Sequence, residues 1–286
     1  MRGNQVIERL YARHMPAPFL SILIDGCIEK GKDYNDGGPR YNTTYIMGVA
    51  PGTCTDCLSA LKYHVFERKT LSMHELRQAL AANFEGHEKT RLLLWNRTPK
   101  YGNDDDYADG ILADVFDAFY SEVNGRKNTK GGFYRVNYLS TTCHVYFGSV
   151  TRATPDGRKA WEPLSDGISP AQGADRKGPT AVIRSAARMD HARTGGTLLN
   201  QKFTPRVLEG EDGLDHLAQL VRSYFKMDGH HIQFNVVTGE TLKAAQQEPD
   251  KYRDLIVRVA GYSDYFCDLT TALQDEIIAR TEQTGF

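Results

Sequence analysis

Near the end of the 286-residue chain stands the stretch Val257-Arg258-Val259-Ala260-Gly261-Tyr262-Ser263-Asp264-Tyr265-Phe266. A β-branched run from Leu255 to Val259 leads into it and predicts a buried strand. A helical pattern follows the glycine, with apolar residues at Tyr265, Phe266, Leu269, Leu273 and Ile277. The sequence therefore predicts that Gly261 lies at a strand-to-helix turn, where glycine is common because it adopts positive φ freely.

The string Arg258-Val-Ala-Gly-Tyr-Ser263 resembles the signature of the glycyl radical enzymes, the family of pyruvate formate-lyase, glycerol dehydratase and hydroxyproline dehydratase. In that family the glycine of this motif carries the stored radical, and the matching position here is Gly261. The resemblance implies an α/β fold: the C-terminal part of a ten-stranded α/β barrel of the pyruvate formate-lyase type, ending in a glycine radical domain. It also implies a protein-derived glycyl radical as the cofactor, with no bound metal or organic cofactor.

The chemistry explains why the family needs glycine at this position. Loss of one Cα hydrogen leaves an electron that is shared between the amide nitrogen and the carbonyl, which requires a planar Cα. A Cβ would crowd that centre. Oxygen adds to such a radical and breaks the chain, so we expect Gly261 to be buried.

Charge and composition argue against several classes of partner. Lys and Arg total 35 and Asp and Glu 36, without a long basic block, so neither nucleic acid nor a membrane is an expected partner. The best apolar run near the N-terminus, Phe19 to Ile24, is too short for a signal sequence or a membrane span. Five scattered cysteines suit free thiols in a reducing compartment. We expect a cytoplasmic protein, in keeping with anaerobic radical chemistry.

The resemblance extends over four segments, residues 19–53, 95–107, 147–200 and 231–280. It implies that residues 1–157 finish the barrel domain and that residues 165–286 form the glycine radical domain. The turn-rich composition between them marks a boundary. From Leu214 onward, helix and strand patterns alternate, which leaves room for parallel pairing.

The cysteines are candidate catalytic groups. Gly26-Cys27-Ile28-Glu29 has the Gly-Cys-x-Glu form of the family's catalytic loop, but its longer context resembles a later segment, so Cys27 is interpreted as a buried structural thiol. The catalytic cysteine and its glutamate are then expected upstream of Met1. Cys54 and Cys57 form a lone CxxC that is interpreted as a helix start. Cys143 and His144 are adjacent in a strand pattern, which would point them to opposite faces.

Two further segments predict helices. Ser72-Met-His-Glu75 is a capping box that starts one helix. The acids Asp104 to Asp106 precede another, closed by Asn124-Gly125, and are interpreted as a helix-dipole effect rather than a metal site.

The resemblance also implies a mechanism and partners. A radical S-adenosylmethionine activating enzyme would remove hydrogen from Gly261, and the radical would then pass to a catalytic cysteine that attacks a small-molecule substrate. The family precedent suggests a homodimer for the full-length enzyme. Strings such as Lys32 to Asn42 look closer to the hydroxyproline and glycerol dehydratase branch, which predicts radical dehydration or C–X cleavage of a small hydroxylated substrate. Three alternatives stay open: a formate C-acetyltransferase of the pyruvate formate-lyase type, a stand-alone radical donor, and a non-catalytic fragment or scaffold.

Overall fold

A computed structural model describes all 286 residues. The contacts between them group the chain into two units. Unit 1 comprises Met1–Met47 and Ala118–Asn137, and unit 2 comprises Gly48–Asp117 and Tyr138–Phe286. A domain boundary between residues 157 and 165 stays a prediction.

Unit 1 combines short helices with one parallel strand pair. The helices are α1 Arg2–His14, α2 Pro18–Leu23 and α3 Cys27–Lys30. Strand β1 Thr44–Met47 lies parallel to β2 Tyr134–Asn137. The buried carboxylate of Glu8 accepts hydrogen bonds from the Thr44 hydroxyl, at 2.5 Å, and from the Thr129 backbone N–H, at 2.9 Å. Helix α1 is therefore tied to the region of the strand pair.

The first part of unit 2 is helical. Its helices are α4 Pro51–Ala60, which continues as a π-helix over Leu61–Glu67, then α5 Met73–Ala81 and α6 Glu88–Arg97. Helix α7 Asp106–Val123 follows, and its residues from Ala118 onward are counted with unit 1. The predicted capping box is confirmed, since the Ser72 hydroxyl accepts the Glu75 N–H and the Glu75 carboxylate accepts the Ser72 N–H. Apolar side chains of α4, α5, α6 and the turns between them form one core.

The helix that follows departs from the sequence prediction. Cys143 and His144 begin a helix, α8 Cys143–Ser149, where a strand was predicted. That prediction is wrong because the segment pairs with no other strand, and the Cys143 N–H bonds the Ser140 carbonyl, which starts a turn. Helix α9 Pro179–Ala186 follows.

A three-stranded parallel sheet organises the last part of unit 2. Strand β3 Leu199–Phe203 lies between β4 Ile232–Val236 and β7 Glu282–Gln283, and both neighbours run parallel to it. Helix α10 Gly210–Lys226 connects β3 to β4, and α11 Gly239–Gln247 follows β4. The predicted α/β alternation with parallel pairing is confirmed here.

The stretch around Gly261 forms a β-hairpin. Strand β5 Ile256–Arg258 pairs antiparallel with β6 Ser263–Tyr265, and Ile256 lies opposite Tyr265. The predicted strand-to-helix turn is therefore wrong: the chain reverses at Gly261, and the last helix, α12 Thr271–Ala279, begins ten residues later, since 271 − 261 = 10. Tyr265 and Phe266, which fitted the helical pattern, instead close the hairpin and start a 3₁₀ turn.

The hairpin is anchored in a core of its own. Val257, Val259 and Phe266 are completely or almost completely buried, together with side chains of α11 and α12. Burying such side chains is worth about 1.5–3 kcal/mol each. No helix in the chain is both long and apolar enough to cross a membrane.

Candidate functional site at the hairpin tip

Gly261 occupies the tip of the hairpin in a left-handed conformation. Its φ is +82°, and the Val259 N–H donates to the Tyr262 carbonyl at 2.9 Å, which closes the turn. A Cβ on Gly261 would meet only Leu198 Cδ1, at 3.4 Å, which is an ordinary contact. The backbone conformation, rather than lack of space, is thus what favours glycine here.

The expected burial of Gly261 is not found in this chain. Residues 261–265 are exposed, whereas Val259, Ala260 and Phe266 on either side are buried. The reason is geometric, because the side chains that anchor the hairpin point into the core below it and the tip projects away.

Two amide side chains of β4 hold the hairpin from one side. Asn235 donates to the Arg258 carbonyl and accepts the Arg258 N–H, each at 2.8 Å, so it extends the strand pairing with a side chain. Gln233 Oε1 accepts the Gly261 N–H at 3.1 Å and also the Arg258 Nη2 at 3.1 Å. The Gly261 N–H therefore donates to a side chain of the parallel sheet.

An ion pair at the end of α12 also holds the hairpin. The Arg280 guanidinium lies 2.8 Å from Glu276 Oε2, and its Nη2 also donates to the Val259 carbonyl at 3.1 Å. Glu276 is completely buried and Arg280 is 6% exposed. Burial acts to raise the pKa of Glu276, but the Arg280 charge outweighs it and holds that pKa well below its usual range. The same ion pair raises the pKa of Arg280 against the effect of burial.

Two further side chains complete the surroundings of Glu276. His144 Nε2 lies 3.4 Å from Glu276 Oε2, and the imidazole is completely buried. Gln172 Nε2 donates to Glu276 Oε1 at 3.1 Å. The His144 ring thus faces Glu276, and no hydrogen bond joins it to the Cys143 thiol, so the adjacent pair does not have the geometry of a nucleophile and its base.

The other sequence candidates lie in separate places. Cys27 is 3% exposed at the start of α3, which confirms a buried thiol. Cys54 and Cys57 lie within α4, and burial raises the pKa of both thiols, which disfavours the reactive thiolate. Asp104 and Asp106 pair with Arg184 and Arg188, at 2.9 Å and 2.6 Å. No three His, Cys, Asp or Glu side chains come together to hold a metal ion.

Sequence reasoning missed the polar residues that hold the hairpin: Gln233, Asn235, Glu276 and Arg280. In β4 the pattern of Ile232, Phe234 and Val236 indicated a strand, but the buried positions are the two amides between them. The alternation of Gln233 and Asn235 with these apolar residues was the signal in the sequence that could have indicated buried amides.

Comparison with known proteins agrees with the fold and with the motif. Residues 1–148 match the pyruvate formate lyase-like family, and residues 164–267 match the glycine radical family. The chain is 60% identical over 99% of its length to trans-4-hydroxy-L-proline dehydratase of Clostridioides difficile, of which it covers 36%. It is 37% identical to (2S)-3-sulfopropanediol dehydratase of Klebsiella oxytoca, over 97% of this chain and 34% of that protein.

Solved structures give the same result. The crystal structure of the Clostridioides difficile hydroxyproline dehydratase with trans-4-hydroxy-L-proline bound superposes with a TM-score of 0.95 over 99% of this chain and 36% of that one. The glycerol-bound form of glycerol dehydratase from Clostridium butyricum gives a TM-score of 0.92 at 45% identity, over 97% of this chain and 35% of that one.

These findings define the class: a mixed α/β chain that corresponds to the C-terminal part of the pyruvate formate lyase-like barrel fold and includes a glycine radical domain. The chain belongs to the glycyl radical enzymes, and its glycine radical domain indicates a protein-derived glycyl radical as the cofactor. It spans about a third of the length of the curated relatives that it matches.

Proposed function

We propose that this chain is the radical-storing part of a glycyl radical dehydratase and that the radical resides on Gly261. The observation that carries the proposal is the position of Gly261: it lies at the tip of a hairpin, within the glycine radical match, with a φ that only glycine adopts freely. Side chains of neighbouring elements bond the two residues at the end of the strand that leads into it, Arg258 and Val259. Such a site keeps one backbone Cα in a defined place without a bound cofactor.

The exposed tip suits the first step of the proposed chemistry. A radical S-adenosylmethionine activating enzyme must reach Gly261 to remove a Cα hydrogen atom, and residues 261–265 are accessible. Once formed, the radical needs protection from oxygen. We propose that this protection and the catalytic cysteine come from the part of the relatives' length that this chain does not cover.

Hydroxyproline dehydration is the reaction that the comparisons favour. The 60% identity to trans-4-hydroxy-L-proline dehydratase exceeds the 45% identity to isethionate sulfite-lyase of Nitratidesulfovibrio vulgaris. The proposed enzyme abstracts hydrogen from a small hydroxylated substrate and eliminates water, in a homodimeric cytoplasmic protein. The division into a barrel part, residues 1–157, and a radical domain, residues 165–286, is proposed on the same grounds.

Oxygen cleavage tests where the radical is stored. After anaerobic activation with activating enzyme, S-adenosylmethionine and reductant, exposure to air should cut the chain at residue 261. Mass spectrometry should then find a long fragment ending near Ala260 and a short C-terminal fragment. Gly261→Ala should stay intact, and cleavage at another glycine would overturn the assignment.

A further inference from the structure

A chain of buried side-chain amides runs from an aspartate to the Gly261 N–H. Asn200 on β3 and Gln233 on β4 are partners in the parallel register, so their side chains lie side by side. Gln233 Nε2 donates to Asn200 Oδ1, and Asn200 Nδ2 donates to Asp166 Oδ2. All three residues are at most 8% exposed. We call Asp166, Asn200 and Gln233 the amide relay.

The aspartate fixes the direction of the whole relay. A carboxylate only accepts hydrogen bonds, so Asn200 must present its NH₂ group to Asp166. Its carbonyl then faces Gln233, which must present its own NH₂ group to Asn200. The Gln233 carbonyl is thereby left to accept the Gly261 N–H, at 3.1 Å. With a neutral amide in place of Asp166, the Asn200 NH₂ group keeps only the Val259 carbonyl, at 3.4 Å, as a fixed acceptor. Both side chains then turn over more easily, and a turned Gln233 sets two donors against each other at Gly261.

Other contacts keep the relay in place. Ser169 Oγ accepts the Asn200 backbone N–H at 2.9 Å and donates to Asp166 Oδ2 at 3.1 Å. Arg258 Nη2 also donates to Gln233 Oε1, at 3.1 Å. This oxygen therefore accepts two hydrogen bonds from the hairpin, one from Arg258 and one from the Gly261 N–H. Buried networks in which each member is paired are rigid and specify one arrangement.

We propose that Gln233 is a positioning residue for the radical glycine, and that Asp166 sets the direction of the Gln233 amide through Asn200. The structural part concerns the resting protein, and the electronic part rests on the proposed radical at Gly261. A carbonyl that accepts the Gly261 N–H raises the electron density on the amide nitrogen. That nitrogen is the electron-donating neighbour of the radical Cα, so the relay increases the spin density that the nitrogen shares.

Amide hydrogen exchange of the non-radical protein tests the structural part, whether or not Gly261 carries a radical. With [¹⁵N]glycine labelling, the Gly261 N–H should exchange about tenfold faster in Asp166→Asn and in Gln233→Leu, the effect of losing one hydrogen bond. Gln233→Glu should exchange more slowly than Gln233→Leu, because its carboxylate still accepts from Gly261 and faces Arg258, and faster than the parent, because its second oxygen lies against Asn200 Oδ1. Asp175→Asn is the matched control, since Asp175 is also buried but accepts from Thr281 and Gln283 outside the relay.

The outcomes separate clearly. Parent-like exchange in both Asp166→Asn and Gln233→Leu would overturn the proposal. Faster exchange in Asp175→Asn to the same degree would overturn it as well, because the effect would then be general destabilisation. Should Gln233→Leu fail to fold, the nearly isosteric Asp166→Asn and Gln233→Glu still decide between the two results.

Electron-nuclear double resonance of activated, ¹⁵N-labelled protein tests the electronic part. The ¹⁵N coupling of the radical should fall in Gln233→Leu and fall less in Gln233→Glu, which keeps an acceptor for the Gly261 N–H. An unchanged coupling in Gln233→Leu contradicts an electronic role. Absence of any radical in the parent would instead refute the storage of a radical on Gly261 and, with it, the electronic role, while the exchange result would stand.

Discussion

The parallel sheet and the radical hairpin of unit 2 are held in different ways. In the sheet, β3 bonds to β4 along five residue pairs through its backbone, and its residues are all buried. In the hairpin, β5 and β6 share three residue pairs and the tip is exposed. The hairpin instead receives side-chain bonds from Gln233, Asn235 and Arg280. The hairpin is thus joined to β4 by side chains, whereas β3 and β4 are joined by their backbones.

The largest loss of stability is predicted for breaking the ion pair between Glu276 and Arg280. Arg280→Met should lower the free energy of unfolding by about 3–5 kcal/mol, because it leaves Glu276 buried without its counter-ion. Urea denaturation measures this change. Arg253→Met removes an arginine from an exposed pair with Asp250 and should have no measurable effect. Equal losses in the two variants would refute a special role for Arg280.

The next effect concerns the side chain that extends β4 towards β5. Asn235→Leu should cost roughly 1–3 kcal/mol, because the Arg258 N–H loses its partner and the Arg258 carbonyl keeps only Arg280 Nη1, at 3.3 Å. Asn235→Asp keeps the acceptor for the Arg258 N–H and should lose less. Exchange of the β5 amides would show whether the loss is local. If the β3 amides of Asn235→Leu exchange faster than those of the parent by the same factor as the β5 amides, the loss of stability is not confined to the hairpin.

Gly261→Ala tests the tip itself. Alanine is strained at the left-handed φ of +82°, so the free energy of unfolding should fall by about 1–2 kcal/mol. The variant should still fold because its Cβ meets no atom closer than 3.4 Å. Gly110→Ala is the matched control, since Gly110 lies inside α7 with open space around it. That change should be neutral or stabilising. A Gly261→Ala protein as stable as its parent would show that the backbone conformation does not require glycine.

The pH dependence of stability should differ between the two regions. Burial raises the pKa of Asp175, near β7, from 3.8 to about 6. Its folded pKa is the higher one, so stability is greatest below the unfolded pKa and falls as pH rises from about 4 to 6. Asp175→Asn should reduce this fall by about 1 kcal/mol or more. Thermal unfolding between pH 4 and pH 7 would measure it, and the same pH profile in Asp175→Asn and the parent would contradict a raised pKa for Asp175.

Glu276, under the hairpin, has the opposite sign. Its folded pKa lies below its ordinary value of 4.5, so its stabilising effect is present above pH 4.5 and is lost as pH falls below that value. Glu276→Gln should flatten the acid side of the stability profile. An acid limb as steep as that of the parent would show that Glu276 does not contribute to it.

The sequence predicted the sheet better than the hairpin, for physical reasons. Periodic apolar positions identified α10, β4 and α11, because burial of one face dominates their stability. The same reasoning failed after Gly261, where Tyr265 and Phe266 fit a helical spacing but serve a strand and a 3₁₀ turn. Antiparallel pairing of such short strands depends on partners distant in sequence, which periodicity does not reveal.

The candidate site was predicted only in part. The motif identified Gly261, whose role as radical carrier stays a prediction. Gln233 and Arg280 lie 28 and 19 residues from it along the chain, since 261 − 233 = 28 and 280 − 261 = 19. Their contacts with the hairpin depend on the parallel register and on the end of α12, and these are tertiary features.

Anaerobic electron paramagnetic resonance tests the central claim most directly. The chain is incubated with a radical-generating activating enzyme, S-adenosylmethionine and reductant, in parallel with Gly261→Ala. The account predicts a doublet from the remaining Cα hydrogen, which collapses to a single line when the protein is grown with Cα-deuterated glycine and is absent from Gly261→Ala. A signal that persists in Gly261→Ala, or none in the parent with an activating enzyme that is competent on this chain's relatives, would contradict storage of the radical on Gly261.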